Sequence, residues 1–296
     1  MKLLTIKKET MDSLGLQTEQ GVIDIDQALE VYPNKEIPSC VMEVINNGEE
    51  SLKLLENYIR ALPENSSFLL GESDFEWGSA VPAPNKIICV GLNYRRHADE
   101  TGASYPETPI LFPKYNNALA SHKQHITVPK VTEKLDYEVE LGIVMGKNAK
   151  DVSKEEALDY VFGYVTANDL SARDLQFVSS QWLLGKSCDG FSPVGPYLVS
   201  KDEVGNPNNL NLRTYVNGEE RQNSNTSDMI FNCEEIISYI SKHMTLTPGD
   251  IILTGTPEGV ILGHPEDEQN FLQPGDEVTV EIDKLGKLTN QFVGEK

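Results

Sequence analysis

Cysteine is scarce and scattered in this sequence. Cys40, Cys89, Cys188 and Cys233 form no Cys-x-x-Cys pair, so neither a zinc knuckle nor a disulfide framework is indicated, and most of the four read as small buried hydrophobes in a reducing compartment. Positive charge is short as well. The 25 Lys and Arg against 46 Asp and Glu leave a formal charge of −21, which argues against a nucleic-acid backbone or an anionic membrane surface as partner. Long apolar runs are missing too. The opening Met1–Lys8 is too short in apolar residues for a signal peptide and no later run reaches membrane-spanning length, so a cytoplasmic protein without a membrane partner is expected. What remains is a chain of 296 residues, enough for one large domain or two smaller ones with a sizeable core.

The most informative stretch is Asp136-Tyr137-Glu138-Val139-Glu140-Leu141, running on to Met145 and a Gly-Lys turn. Val139, Leu141, Ile143 and Met145 alternate with Glu138, Glu140 and Gly142, which is the period of a strand. Residues two apart on a strand face the same way, so the two glutamates would stand side by side. Their repulsion either is relieved by solvent on an exposed face or calls for a hard cation such as Mg2+, Mn2+ or Ca2+.

Other stretches carry the same double reading. Residues 1–80 hold a short first strand, a turn near Asn47-Gly48 and a helical pattern over Ser51–Leu62, with no chemical motif, and form a small N-terminal module. Val81-Pro82-Ala83-Pro84-Asn85 reads as the boundary to a main domain over 81–296. That domain opens with a buried strand, Lys86–Gly91, followed by a helical turn on which His97 and Glu100 share a face, as a structural pair or as a dyad that moves a proton. Lys114, closing the apolar run Pro109–Pro113, reads as a surface charge. A serine-capped helix is expected over Ser153–Val161, then a strand over Gly163–Asp169. Asp169 ends that strand, as a turn residue or a ligand, and Ser171 with Asp174 makes a capping-box pattern. Arg173 and Gln176, three apart on the helix so begun, can reach one carboxylate together.

Trp182–Pro196 reads as a long loop in which Lys186 is the functional candidate. The rest is rich in strand signals: an Asn217-Gly218 hairpin, Pro-Gly-Asp turns at 248–250 and 274–276, and a single helix capped by Asn232. The loop Thr254–Val260 can offer backbone N–H groups and threonine hydroxyls to an anion. Many strands with few helices give an α+β, β-rich class.

Taken in order, five of these stretches resemble the fumarylacetoacetate hydrolase family: Val90–Tyr94 with His97 and Glu100, Asp136–Leu141, Asn168–Gln176, Gly185–Ser187 and Thr254–Pro257, together spanning about 86 to 293. The nearest resemblance is to its 2-hydroxyhepta-2,4-diene-1,7-dioate isomerase and acylpyruvase-like members, which act in aromatic catabolism. The resemblance implies a mixed β-sheet roll, usually homodimeric, with Mg2+ or Mn2+ held by Glu138, Glu140 and Asp169. It also implies a His97/Glu100 dyad, Lys186 as stabiliser of a developing enolate, and substrate contacts from Arg173, Gln176 and Thr256. The expected substrates are small 2-oxo or enol carboxylates. The first expectation is C–C hydrolysis of an acylpyruvate or isomerisation of a heptadienedioate through a metal-stabilised enolate; the alternative is an oxaloacetate decarboxylase or tautomerase. A lesser reading is a noncatalytic protein that binds a metal and a 2-oxo acid.

Overall fold

A computed structural model describes residues 1–9, 11–63 and 67–295. Strands dominate, and their pairing builds outward from the strand of the paired glutamates. Val139–Met145 is buried along its whole length because it has antiparallel neighbours on both sides. On one side Val139 lies opposite Asn168 and Leu141 opposite Thr166 of the strand Val161–Asn168; on the other, Gly142 meets Leu253 of Ile251–Leu253. Among the described residues the sheet continues through Ser192–Ser200 to Lys2–Lys7 and Ser13–Thr18, and in the other direction through Ile87–Gly91 to an edge strand, Ile110–Lys114.

A second, five-stranded sheet packs against one face of the first, and side-chain alternation decides what lies between them. Val139, Leu141, Ile143 and Met145 share a core with Leu212, Val278, Val280 and Leu288 of the smaller sheet. Each such side chain contributes about 1.5–3 kcal/mol on burial. Val144, Val165, Ala167 and Leu253 belong to a core on the opposite face, which Val41, Val44, Ile45 and Leu55 of the N-terminal helices complete. Glu138 and Glu140 stand on that second face, near the end of the sheet. The architecture is the expected β-rich α+β class.

Local signals held where backbone chemistry is strict. Asn217 and Gly218 take φ of 50° and 82° between the strands Asn211–Val216 and Glu219–Asn225, as a two-residue hairpin of this hand requires. Asn232 and Glu235 close a full capping box on the helix Cys233–His243. The helical pattern at 51–62 is the helix Glu49–Ala61, joined through Gly48 to a preceding helix, Val41–Asn47.

Elsewhere the local pattern did not hold. The helix expected at 153–161 is only a 3-10 turn over Ala157–Tyr160, and the Ser153 hydroxyl donates to the Glu156 side chain at 3.1 Å instead of capping. The capping box at Ser171 and Asp174 does not form. Ser171 is held in a short strand against Asp136, its hydroxyl donating to the Asp169 carbonyl at 2.8 Å, while the Asp174 carboxylate accepts from Thr132 and the Glu133 N–H. Residues 182–196 are not a loop throughout: Leu183–Lys186 is one turn of helix, and Ser192–Ser200 is a central strand. Two cysteines, Cys89 and Cys233, are buried, and all four are unpaired. Among the described residues no helix is long and apolar enough to cross a membrane.

Candidate active site and metal centre

Glu138 and Glu140 face the same side of their strand, and Asp169 ends the neighbouring one, its N–H donating to the Glu138 carbonyl at 2.9 Å. One oxygen from each of Glu138, Glu140 and Asp169 can be chosen so that all lie within 4.8 Å of one another, and all three residues are buried. Solvent therefore does not screen their repulsion.

The two glutamates respond in opposite directions. Burial alone would raise Glu138, but the charges of Lys186 and Arg173 outweigh it and hold the carboxyl down at about 2. Burial, then Asp169 and Glu138, push Glu140 well above the ordinary carboxylate range. Lys186 Nζ donates to Glu138 Oε2 and Asp169 Oδ2, both at 2.8 Å, whereas among the described residues Glu140 Oε2 accepts only a backbone N–H, from Gly255 at 2.8 Å. The buried carboxylates here are Asp136, Glu138, Glu140 and Asp169; the buried cations among the described residues are Lys114, Arg173 and Lys186. One negative charge is left without a partner, and it falls on Glu140. An all-oxygen donor set with that deficit fits a hard divalent cation held by Glu138, Glu140 and Asp169.

Three partners of this centre were not legible as such. Lys114 is no surface charge: it is buried, and its ammonium donates to Asp169 Oδ1, to the Leu170 carbonyl at 3.2 Å and to the Phe191 carbonyl at 2.7 Å. The available signal was that Lys114 lies two residues from Phe112, on the same strand face. Asp136, two before Glu138, accepts from Arg173 Nε at 2.9 Å. Gln222, on the hairpin strand Glu219–Asn225, is buried and donates to Thr256 Oγ1 at 3.0 Å while accepting from the Val139 N–H at 3.1 Å. Nothing in the sequence distinguishes it.

Lys186 reaches the carboxylates because Gly185 precedes it. A Cβ at Gly185 would lie 2.5 Å from the Gln176 backbone nitrogen and 2.6 Å from the Ala172 carbonyl, so only glycine lets this helical turn seat against Arg173–Gln176. Burial would lower the Lys186 ammonium, but Asp169 and Glu138 overcome it and raise the group above the ordinary lysine range. Lys186 stays charged. Arg173 is already committed, with Nη2 2.8 Å from both Asp136 Oδ2 and Glu138 Oε1 and Nη1 donating to Gln176 Oε1 at 2.9 Å. The pair therefore does not present two free groups: Arg173 orients Gln176 and Glu138.

Across from the carboxylates, the short helix Arg95–Glu100 carries the His–Glu pair, with His97 Nδ1 and Glu100 Oε1 2.7 Å apart. Glu100 Oε2 accepts the Gly259 N–H at 2.9 Å. The loop expected to bind an anion thus spends two of its N–H groups on protein carboxylates, Gly255 on Glu140 and Gly259 on Glu100. His97, Glu100, Glu138, Glu140, Arg173, Gln176, Lys186 and Thr256 line one cavity of about 600 Å³, walled on its apolar side by Phe112, Phe177 and Trp182. Asp169 lies beneath them, fully buried and bonded to both lysines. A groove of about 780 Å³ beside Trp77 and His122 contains none of these groups.

A buried acidic cluster short of one cation, faced by a lysine and an imidazole, is the kind of site found in a metal-dependent enzyme. The chain belongs to the fumarylacetoacetate hydrolase family: residues 86–293 match its "Fumarylacetoacetate (FAA) hydrolase C-terminal" description. It is 39% identical over 282 residues to the mitochondrial oxaloacetate tautomerase fahd2 of Xenopus laevis, covering 95% of this chain and 86% of that one. It is 41% identical to the oxaloacetate tautomerase YisK of Bacillus subtilis, covering 93% of each. The fumarylacetoacetate hydrolase of Exiguobacterium antarcticum superposes with a TM-score of 0.82 at 32% identity, over 100% of each chain. Maleylpyruvate hydrolase of Sphingobium sp. SYK-6, solved with manganese(II) and pyruvate, does so with a TM-score of 0.80 at 27% identity, again over 100% of each.

Proposed function

We propose that this protein is an oxaloacetate keto–enol tautomerase that uses Mg2+ or Mn2+. The observation that carries the reading is the near full-length similarity to two oxaloacetate tautomerases, from Xenopus laevis and Bacillus subtilis. The site's chemistry agrees with it. Acylpyruvate hydrolysis and heptadienedioate isomerisation, the first expectations, have less support, and the noncatalytic reading does not suit a member of an enzyme family.

A divalent cation on Glu138, Glu140 and Asp169 would supply Lewis acidity to a bound 2-oxo carboxylate. The chain's own groups do the rest. Lys186, kept charged, stabilises the oxygen that becomes an oxyanion when the C3 proton leaves. His97 takes that proton: the C3–H bond breaks, its electron pair becomes the C2–C3 double bond, the C2=O π pair moves onto oxygen, and the imidazolium returns the proton to that oxygen to give the enol. Glu100 has one oxygen on His97 and the other on the Gly259 N–H, so it orients the imidazole. Gln176, fixed by Arg173, and the Thr256 hydroxyl, which accepts from Gln222 and so points its own proton elsewhere, bind the substrate's carboxylates. A homodimer and a cytoplasmic setting belong to the same proposal.

The test follows enol absorbance and product NMR with purified protein and Mn2+, on oxaloacetate, acetylpyruvate and 2-hydroxyhepta-2,4-diene-1,7-dioate, each with a chelator control. Accelerated enol–keto exchange of oxaloacetate, abolished by chelator and exceeding both carbon dioxide release and acetylpyruvate cleavage, is the expected result. Rapid cleavage of acetylpyruvate without accelerated exchange would sink the proposal.

A second expectation concerns Gly263, where a Cβ would lie 2.6 Å from the Glu100 carboxyl carbon. That carboxylate is the end of a flexible side chain, so Gly263→Ala should cost under about 1 kcal/mol in stability. It should nonetheless turn Glu100 away from His97 and lower kcat about 10- to 100-fold. Urea unfolding and kcat measured on the same preparation check this; a parallel loss of both would mean the glycine serves only folding.

A further inference from the structure

The carboxylate that links the two halves of the cavity is not one of its lining residues. Asp136 is completely buried. Its Oδ1 accepts the N–H groups of Tyr137 and Ile261, both at 2.9 Å. Its Oδ2 accepts the Leu262 N–H at 3.1 Å and Arg173 Nε at 2.9 Å, with Arg173 Nη2 at 2.8 Å. Each arm continues to a group in the cavity. Through Arg173, whose Nη2 also lies 2.8 Å from Glu138 Oε1, Asp136 sets the direction of a carboxylate in the acidic cluster. Through Ile261 and Leu262 it anchors the strap 258–264, whose Gly259 N–H holds Glu100 and whose Gly263 leaves that carboxylate its space.

We infer that Asp136 is a positioning residue that holds the cation-binding face and the His97/Glu100 face of the cavity in one register. The physical reason is that a buried carboxylate accepting several hydrogen bonds has few alternative orientations, so both arms are fixed by one group. If Asp136 only stabilised the fold, its loss would lower stability without altering cation affinity or the strap. If it sets register, both arms loosen together.

Asp136→Asn separates these cases, because an amide keeps the shape but cannot accept from all of Ile261, Leu262 and Arg173 and no longer neutralises the guanidinium. Three readouts apply: Mn2+ binding to the metal-free protein by EPR titration, amide hydrogen exchange of segment 258–264, and kcat for oxaloacetate exchange at saturating Mn2+. The expected result is a folded protein whose Mn2+ Kd rises at least about 10-fold, whose strap exchanges at least about 10-fold faster, and whose metal-saturated kcat falls by a similar factor. A lowered melting temperature with Mn2+ affinity and strap exchange both within about twofold of the parent would overturn the inference, as would a change in only one arm.

Should Asp136→Asn not fold, Ile261→Pro decides. Val260 before it is extended (φ −68°, ψ 154°) and Ile261 opens a helical turn, where proline is tolerated, so the change removes the N–H to Asp136. Ile261→Ala is the control that keeps it. Faster exchange at Gly259 together with weaker Mn2+ binding in the proline variant alone would support the coupling; unchanged Mn2+ binding, or identical behaviour of the two, would refute it. Only the kcat readout rests on the proposed tautomerase reading. If the parent shows no tautomerase activity, that reading fails, while Mn2+ titration and hydrogen exchange still decide the role of Asp136.

Discussion

Metal-free protein carrying Glu140→Gln should unfold at higher urea than the parent at pH 8, and should bind Mn2+ at least about 100-fold more weakly. The opposite signs share one cause. In the metal-free protein the Glu140 carboxyl is buried beside Asp169 and Glu138 and lies well above its ordinary value of 4.5. The folded state then holds that proton more tightly than the unfolded chain. Its contribution to stability is complete below the unfolded value and is lost as pH rises through the folded one. Stability of the metal-free parent should therefore decline as pH rises above the ordinary carboxylate value. The Glu138 carboxyl, held at about 2, acts in the other sense and loses its contribution only in strong acid. Replacing Glu140 by its amide removes the titration and keeps an acceptor for the Gly255 N–H, so the decline should flatten and the molecule gain on the order of 1–2 kcal/mol. Bound Mn2+ should flatten the parent's decline as well, by supplying the missing charge. Urea titrations at several pH values, with and without Mn2+, measure all of this; a metal-free parent no less stable at pH 8 than at pH 5, matched by its Glu140→Gln variant, would mean that Glu140 carries no uncompensated charge.

Lys114→Met is expected to give the largest loss of stability, about 3–5 kcal/mol in the metal-free protein, because removing one partner leaves a buried charge uncompensated. Methionine nearly matches the lysine stem in shape, so packing should change little. What is lost is the ammonium shared by Asp169 Oδ1 and the carbonyls of Leu170 and Phe191. Asp169 would then rely on Lys186 alone. A divalent cation can take over that neutralisation, so saturating Mn2+ should restore part of the loss in Lys114→Met by more than it stabilises the parent. Paired denaturation curves of the two proteins decide the matter, and a loss below about 1 kcal/mol would show that Asp169 does not depend on this lysine.

Much of the site was legible because its chemistry is written in short-range periodicity. Glu138 and Glu140 share a face on any strand, and His97 and Glu100 share one on any helical turn, whatever surrounds them. The order of the five motifs along the chain was enough to place them in one family and to give the fold class. The Asn217-Gly218 hairpin and the Asn232 cap were equally secure, since each satisfies backbone groups within a few residues.

The readings that failed are those in which a distant group outcompeted a local one. Ser171 was drawn into a short strand against Asp136 and the Asp174 carboxylate found Thr132, so no box formed. Pairing with Val161–Asn168 turned Ser192–Ser200 into a central strand in spite of its prolines and glycine.

By itself, then, the sequence determined which residues carry charge, which stand on a common face of their own element, and to which family the chain belongs. Only the tertiary structure decided where each charge finds its partner. Lys114 lies 55 residues from Asp169, Asp136 lies 125 from Ile261, and Gln222 lies 34 from Thr256. Charge compensation in a buried cluster depends on distances and burial set by sheet order, which no local period encodes, and it is this compensation that leaves Glu140 alone in need of a cation.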